Sequence, residues 1–149
     1  MGRIESSVVI NRHIEEVFTY AADYRKDPSW RGEVRELRYL SDGPVGVGMR
    51  QLETSRLFGR TVVTESRISV HEPGRDDFEY VSGPYRVRGS RWFEAVDGGT
   101  RFTFVLEAQP ERLLDSLLDP VLGFLYQKMA DRYVHRLKVI LEASPGQAG

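Results

Sequence analysis

The chain has 149 residues, of which 40% are hydrophobic and 29% charged, with a formal net charge of −1. That length suits one domain with a core of its own, and so small a charge supplies no global field for nucleic acid or an anionic membrane. The chain has no cysteine, which excludes disulfides, thiolate nucleophiles and cysteine metal sites and fits a cytoplasmic setting.

The opening MGRIESSVVINRH holds no apolar run long enough for a signal peptide. No stretch approaches the roughly 20 apolar residues of a membrane span. Ile4 to Ile10 reads as a strand, with β-branched Val8, Val9 and Ile10. Asn11 can cap a helix whose apolar face is Ile14, Val17, Phe18 and Ala21. Asp23 to Trp30 is a second short helical or irregular stretch, broken by Pro28.

From Glu33 to Gln109 the pattern is strands and turns. The predicted strands are Val34–Leu40, Gly48–Leu57, Arg60–His71, Asp77–Ser82, Tyr85–Ala95 and Thr100–Ala108. Turns are marked by Phe58-Gly59, Glu72-Pro73-Gly74-Arg75, Gly83-Pro84 and Asp97-Gly98-Gly99. Phe102, Phe104 and Leu106 alternate with Arg101, Thr103 and Glu107, as do Phe78 and Tyr80 with Asp77 and Glu79. Ile68 and Val70 alternate with Arg67, Ser69 and His71, which places His71 outward. One face of the sheet is therefore wet and the other apolar.

At about 100° per residue, Leu118, Leu122, Leu125, Tyr126, Met129, Tyr133, Leu137, Ile140 and Leu141 share one stripe of a long amphipathic helix. Leu113 and Leu117 point nearly the opposite way. The offset falls at Asp119-Pro120, where aspartate suits an N-cap and proline the first helical position. The prediction is a short helix over Glu111–Leu118, a break, and a long helix from Pro120 to about Ala143. Ser144–Gly149 reads as a disordered tail beyond a single domain over residues 1–143.

The expected fold is α+β. A meander of about seven antiparallel strands curls through its own twist around the long C-terminal helix, with two short helices after the first strand. The first strand joins the edge of the last. A gap between sheet and helix is then the natural ligand site.

Several local pieces appear in this order: Ile10 through Val17-Phe18 and Asp23, Asp27-Pro28-Ser29-Trp30 with Val34, and Gly43-Pro44-Val45-Gly46-Val47-Gly48. Glu72-Pro73-Gly74-Arg75, Gly98-Gly99-Thr100-Arg101 and the long last helix follow. In order and spacing the chain resembles the START-like, or SRPBCC, superfamily over about residues 3–142. That group includes the birch-pollen-allergen-like proteins and the bacterial polyketide cyclase/dehydrase and lipid-transport proteins. The resemblance implies a helix-grip fold with a hydrophobic cavity. It does not imply one function, because members bind lipids, hormones or polyketides and some catalyse cyclisation.

A two-residue hairpin turn at Phe58-Gly59 pairs Leu57 with Arg60, Ser55 with Val62, Glu53 with Thr64 and Gln51 with Ser66. If Val62, Ile68 and Val70 face inward, Glu53 does too. A carboxylate among apolar neighbours would be a general acid or base; the alternative is an outward Glu53 paired with a surface arginine. Arg91 shares parity with Tyr85, Val87 and Phe93. Inward, it could neutralise Glu53 or grip a ligand carboxylate or enolate; a twist near Gly89 would turn it out.

Trp30 either plugs one end of the cavity or anchors the short helices to the sheet. Tyr126 and Met129, with Leu122 and Leu125, are candidate lining from the helix, opposite Phe78, Tyr80, Phe102 and Phe104. The Gly43–Gly48 loop lacks the Gly-Lys-Ser/Thr of a phosphate loop and reads as a tight turn. His13, His71 and His135 have no metal-ligand spacing, so no metal or other cofactor is expected.

Binding of a small, largely apolar molecule (lipid, polyketide or aromatic metabolite) is the leading functional reading. The alternative is a polyketide cyclase or dehydratase using Glu53 as proton carrier and Arg91 or a tyrosine to stabilise an enolate. A third is an interaction module with a filled cavity. No nucleic-acid partner is expected, and the protein is expected to be a monomer or homodimer.

Overall fold

The computed structural model describes residues 2–57, 59–82, 86–108 and 120–143. Strand β1 (Gly2–Ile10) leads to helix α1 (Ile14–Ala21), a 3-10 turn over Tyr24–Lys26 and the single-turn helix α2 (Asp27–Trp30). Then come β2 (Val34–Tyr39), β3 (Arg50–Leu57), β4 (Arg60–Glu72), β5 (Arg75–Tyr80), β6 (Val87–Val96), β7 (Gly99–Ala108) and the long helix α3 (Pro120–Ala143). All seven strands form one antiparallel sheet in the order β1-β7-β6-β5-β4-β3-β2. The short connections give the meander, and β1 joins the edge of β7 as expected. The sheet curls, and α3 lies within it in the helix-grip arrangement. The predicted helix over Glu111–Leu118, the break before Pro120 and the tail Ser144–Gly149 lie outside the described residues.

Two local expectations change. Helix α1 is capped by His13, not Asn11, and its cap makes no side-chain hydrogen bond; the Asn11 backbone N–H instead donates to Glu142 Oε2 at 2.8 Å. Pro28 opens α2 at its first turn instead of breaking it, since a residue there has no intrahelical N–H bond to lose.

The grip has a polar and an apolar part. The apolar core joins Ile4 and Ile10 of β1, Val17 and Ala21 of α1, Phe93, Phe102 and Phe104 of the sheet, and Ala130, Tyr133, Val134, Leu137 and Leu141 of α3. The buried stripe of α3 thus centres near Ala130 and Leu137. Leu125 lies about 120° around the helix from that centre, and it is 41% exposed. The polar edge of α3 clamps β1: Asp131 accepts from Ser6 at 2.6 Å, Gln127 donates to the Glu5 carbonyl and Lys138 to the Val9 carbonyl. A second, smaller cluster (Tyr24, Val34, Leu37, Met49, Ile68 and Phe78) fills the other half of the sheet.

Gly89 has a specific packing role. It is the cross-strand partner of Phe78, whose ring occupies the place a Cβ at Gly89 would take. The missing side chain lets the ring lie flat on the sheet.

Candidate functional site

Between the two apolar clusters runs a line of buried charge. The β3–β4 register is Leu57 to Arg60, Ser55 to Val62, Glu53 to Thr64 and Gln51 to Ser66. That pairing turns Gln51, Glu53 and Ser55 to the inner face, where each is 5% exposed or less. Val62 shares that face near the hairpin tip and is 43% exposed.

Glu53 is not alone among apolar neighbours, as the sequence suggested. Arg31 Nη1 donates to Glu53 Oε1 at 2.7 Å. Ser55 and Tyr80 donate to Glu53 Oε2 at 3.1 and 3.2 Å. Arg31 Nη1 also donates to Asp27 Oδ2 at 3.0 Å. Asp27 in turn accepts two bonds from Arg91, at 2.9 and 2.5 Å, and Arg91 donates a third to the Ala21 carbonyl at 2.6 Å.

Arg91 therefore faces inward, has no accessible surface, and pairs with Asp27 instead of Glu53. Its guanidinium lies over the Tyr24 ring at 4.0 Å and the Trp30 ring at 4.9 Å. Burial pulls the pKa of Arg31 down, but Glu53 and Asp27 more than reverse this and hold it well above its usual value. For Arg91 burial likewise opposes the charge, and Asp27 with Tyr24 outweighs it. Both side chains stay cationic. Two guanidiniums meet two carboxylates, so the chain of charge is balanced, the condition under which burial of ions is tolerated.

A branch extends the network. Tyr24 donates to Asp76 Oδ1 at 2.5 Å, and His71 Nδ1 lies 2.5 Å from Asp76 Oδ2. His71 is not outward: the β4–β5 register shifts between Ile68 and Val70, and this bulge reverses the faces beyond it. His71 then lies against Phe18 of α1.

Burial raises the Asp76 pKa, against the lowering effect of its bonds to Tyr24 and His71 and of Arg91. A folded-state pKa above the unfolded 3.8 contributes stability that is complete below that pH and is lost as pH rises through the raised value. Asp76→Asn, which cannot ionise, is expected to gain stability relative to the unmodified protein as pH climbs from below 3.8 to neutrality. Urea midpoints of the two proteins across that range check it; an Asn variant whose midpoint falls relative to that of the unmodified protein as pH rises would count against it.

Trp30 is 1% exposed and stacks edge-on against Phe102, Phe104 and Tyr133 at 5.8, 5.9 and 6.1 Å. Phe78, Phe102 and Phe104 are likewise 1% exposed or less. These four rings form a packed floor, with no accessible surface of their own to offer. Tyr80, Tyr126 and Met129 are half-buried; burial and then Glu53 push the Tyr80 hydroxyl far above its ordinary pKa, so it stays protonated. The side chain of Leu122 lies outside the described residues. Among the described residues no group of three or more His, Asp or Glu is placed to hold a metal ion.

Sequence reasoning missed Asp27, Arg31 and Asp76. The first two stand at i, i+4 across α2, the spacing of a helical ion pair, a signal masked by reading Pro28 as a break. Asp76 shares strand parity with Phe78 and Tyr80, which marks it as inward.

The model of the family described as polyketide cyclase/dehydrase and lipid transport matches residues 1–142. The chain belongs to this family. Its members' fold recurs in solved structures of low identity. TTHA0849 from Thermus thermophilus is 19% identical over 95% of this chain and 97% of its own, with a TM-score of 0.77. Ara h 8.0201 is 14% identical over 95% and 98%, with a TM-score of 0.72. The Zhui aromatase/cyclase from a Streptomyces species is 11% identical over 94% and 93%, with a TM-score of 0.73. No curated protein matches the chain by sequence. For this cyclase/lipid-transport-family chain these likenesses establish the helix-grip fold. Among its described residues no helix is long and apolar enough to cross a membrane.

Proposed function

We propose that this polyketide cyclase/dehydrase and lipid-transport family member binds a small, largely apolar molecule between α3 and the inner face of β3, β4 and β5. One observation carries the reading: the helix offers an apolar flank, and the sheet opposite offers a polar wall. Arg136 donates to the Ser29 carbonyl, which marks the flank of α3 that faces α2. Met129 and Leu125, seven and eleven residues earlier, lie within about 20° of Arg136 around the helix. They continue that flank beyond α2, toward the N-terminal half of α3, where the buried stripe gives way to half-buried and exposed side chains. Tyr80 is the half-buried member of that wall, with Gln51, Ser55, Arg31 and Glu53 buried beside it. An apolar body between them with a polar end on the wall is the usual chemistry of such sites.

The geometry supports binding over proton transfer. Three donors occupy the two oxygens of Glu53, leaving it committed as a fixed acceptor.

Met129→Trp tests the reading. The bulky ring would occupy the space beside α3. Affinity for a neutral apolar dye such as N-phenylnaphthylamine is expected to fall about tenfold or more, while the melting temperature changes little because Met129 is only half-buried. If the site is solid core instead, overpacking will cost about 1–3 kcal/mol with no dye uptake by either protein.

A further inference from the structure

We infer that the outward face of α3 is a docking surface for anionic lipid bilayers. The inference does not depend on what the interior binds.

At about 100° per residue, Phe124, Lys128, Arg132, His135 and Val139 share a sector of about 80°. Its centre lies about 170° around the helix from the buried stripe at Ala130 and Leu137, so this side of α3 is turned away from the core. All five residues are exposed. The apolar members stand well out, Phe124 at 60% and Val139 at 52%. They are about 22 Å apart along the helix, with the two cations between them. Leu125, just beyond the edge of the sector, is a third exposed apolar side chain. Single exposed apolar residues need no explanation; what marks this face is the charge among them.

That charge is of one sign. Helix α3 carries two carboxylates, Asp131 and Glu142, and both are turned toward β1 and the residue after it. Asp131 accepts from Ser6 and Gln127. Glu142 accepts from the Asn11 backbone and from Lys138. The ion pair of Lys138 with Glu142 is the one that α3 makes among the described residues. Arg132 and, further round the helix, Arg136 donate through Nε to the carbonyls of Lys128 and Ser29. Lys128 lies over the Phe124 ring at 5.5 Å. Three cations therefore stand on the outward side of α3 with no carboxylate against them. The chain as a whole carries −1 and attracts no anion at long range. The attraction is local, within the screening length of about 10 Å.

Cationic heads beside exposed apolar side chains on one helix face suit a helix lying in a bilayer interface. The apolar groups enter the acyl boundary, and the long basic side chains reach the lipid phosphates. An acidic protein would satisfy the cations alone. Apolar side chains at both ends of the cationic run favour the bilayer, which takes up both kinds of group along the length of the helix. Each Lys or Arg beside an anionic surface strengthens binding about fivefold, so docking is weak and reversible, on the order of 10⁴ M⁻¹.

The test is sedimentation with vesicles of phosphatidylglycerol and phosphatidylcholine in about equal parts, against vesicles of phosphatidylcholine alone. The protein is expected to bind the first and not the second, and to be released at about 1 M salt, where screening shortens to about 3 Å. Lys128→Gln with Arg132→Gln should weaken binding about 25-fold, and Phe124→Ser about tenfold. These side chains are exposed and outside any ion pair of α3, so the melting temperatures should hold. Arg88→Gln with Arg101→Gln removes the same charge from exposed positions on the outer face of the sheet and should change binding less than about twofold. Phe124→Trp, on vesicles of brominated lipid, should lose fluorescence beyond the quenching seen in the unmodified protein. No binding to the anionic vesicles, equal binding to the neutral ones, or an equal loss from the sheet variant overturns the inference. Binding to soluble polyglutamate that matches binding to the vesicles and survives Phe124→Ser assigns the face to an acidic protein and overturns it as well.

Discussion

Replacing Asp27 by alanine is expected to cost about 3–5 kcal/mol of folding free energy, the range for stripping one partner from a buried ion pair. Asp27 has no accessible surface and holds two guanidiniums at once. Arg31 would keep Glu53. Among the described residues Arg91 would keep only the Ala21 carbonyl as a hydrogen-bond partner and the faces of Tyr24, Trp30, Phe78 and Phe104. It would stay charged inside the core, since no route to solvent opens for a side chain with no exposed surface. For a chain of this length the loss corresponds to a melting temperature about 10 °C lower or more.

The double variant Asp27→Leu with Arg91→Met removes both partners and leaves Arg31 balanced by Glu53. It should recover much of the loss, because matched removal of a buried pair is often neutral or better. Urea unfolding of the three proteins provides the measurement. A loss under about 1 kcal/mol for Asp27→Ala would mean that the buried charges reorganise freely.

The sheet was legible in the sequence because its evidence is local. Strand alternation and turn residues fixed the meander, and the hairpin at Phe58-Gly59 set the β3–β4 register that turns Glu53 inward. What surrounds Glu53 was not legible, for a physical reason. Two of its three partners come from residues 22 positions before it and 27 after it, and nothing in strand periodicity says which short helix lies over which strand. The same distance problem paired Arg91 with Asp27, 64 residues away, when the sequence suggested Glu53 or a ligand. A bulge was the other blind spot. One extra residue near Ser69 moves His71 from the wet face to a bond with a buried carboxyl, and no turn residue announces it. On α3 the hydrophobic stripe located the face but not its centre. Ala130 and Val134 are buried because they lie over β1, whereas Leu125 falls beyond the reach of the core.

Trp30→Ala is the second large effect, expected at about 3–5 kcal/mol. The sequence allowed two roles for this side chain: a plug for the ligand space, or an anchor tying the short helices to the sheet. The structure arranges Trp30 with Phe102 and Phe104 on one side, Tyr133 of α3 on another and the Arg91 guanidinium over its face. One residue of α2 thus joins the sheet, the long helix and the buried charge. Truncation would leave a cavity where all three meet, and it would remove the ring that shields Arg91 from the rest of the core. Trp30→Phe keeps an aromatic face over the guanidinium and should lose clearly less than alanine. The two roles predict different pairs of results. An anchor gives a large fall in the urea midpoint, with dye affinity at the α3 flank little changed in the fraction that folds. A plug gives a small fall in the midpoint and tighter uptake of larger apolar probes. The ring contacts on every side of Trp30 favour the first pair.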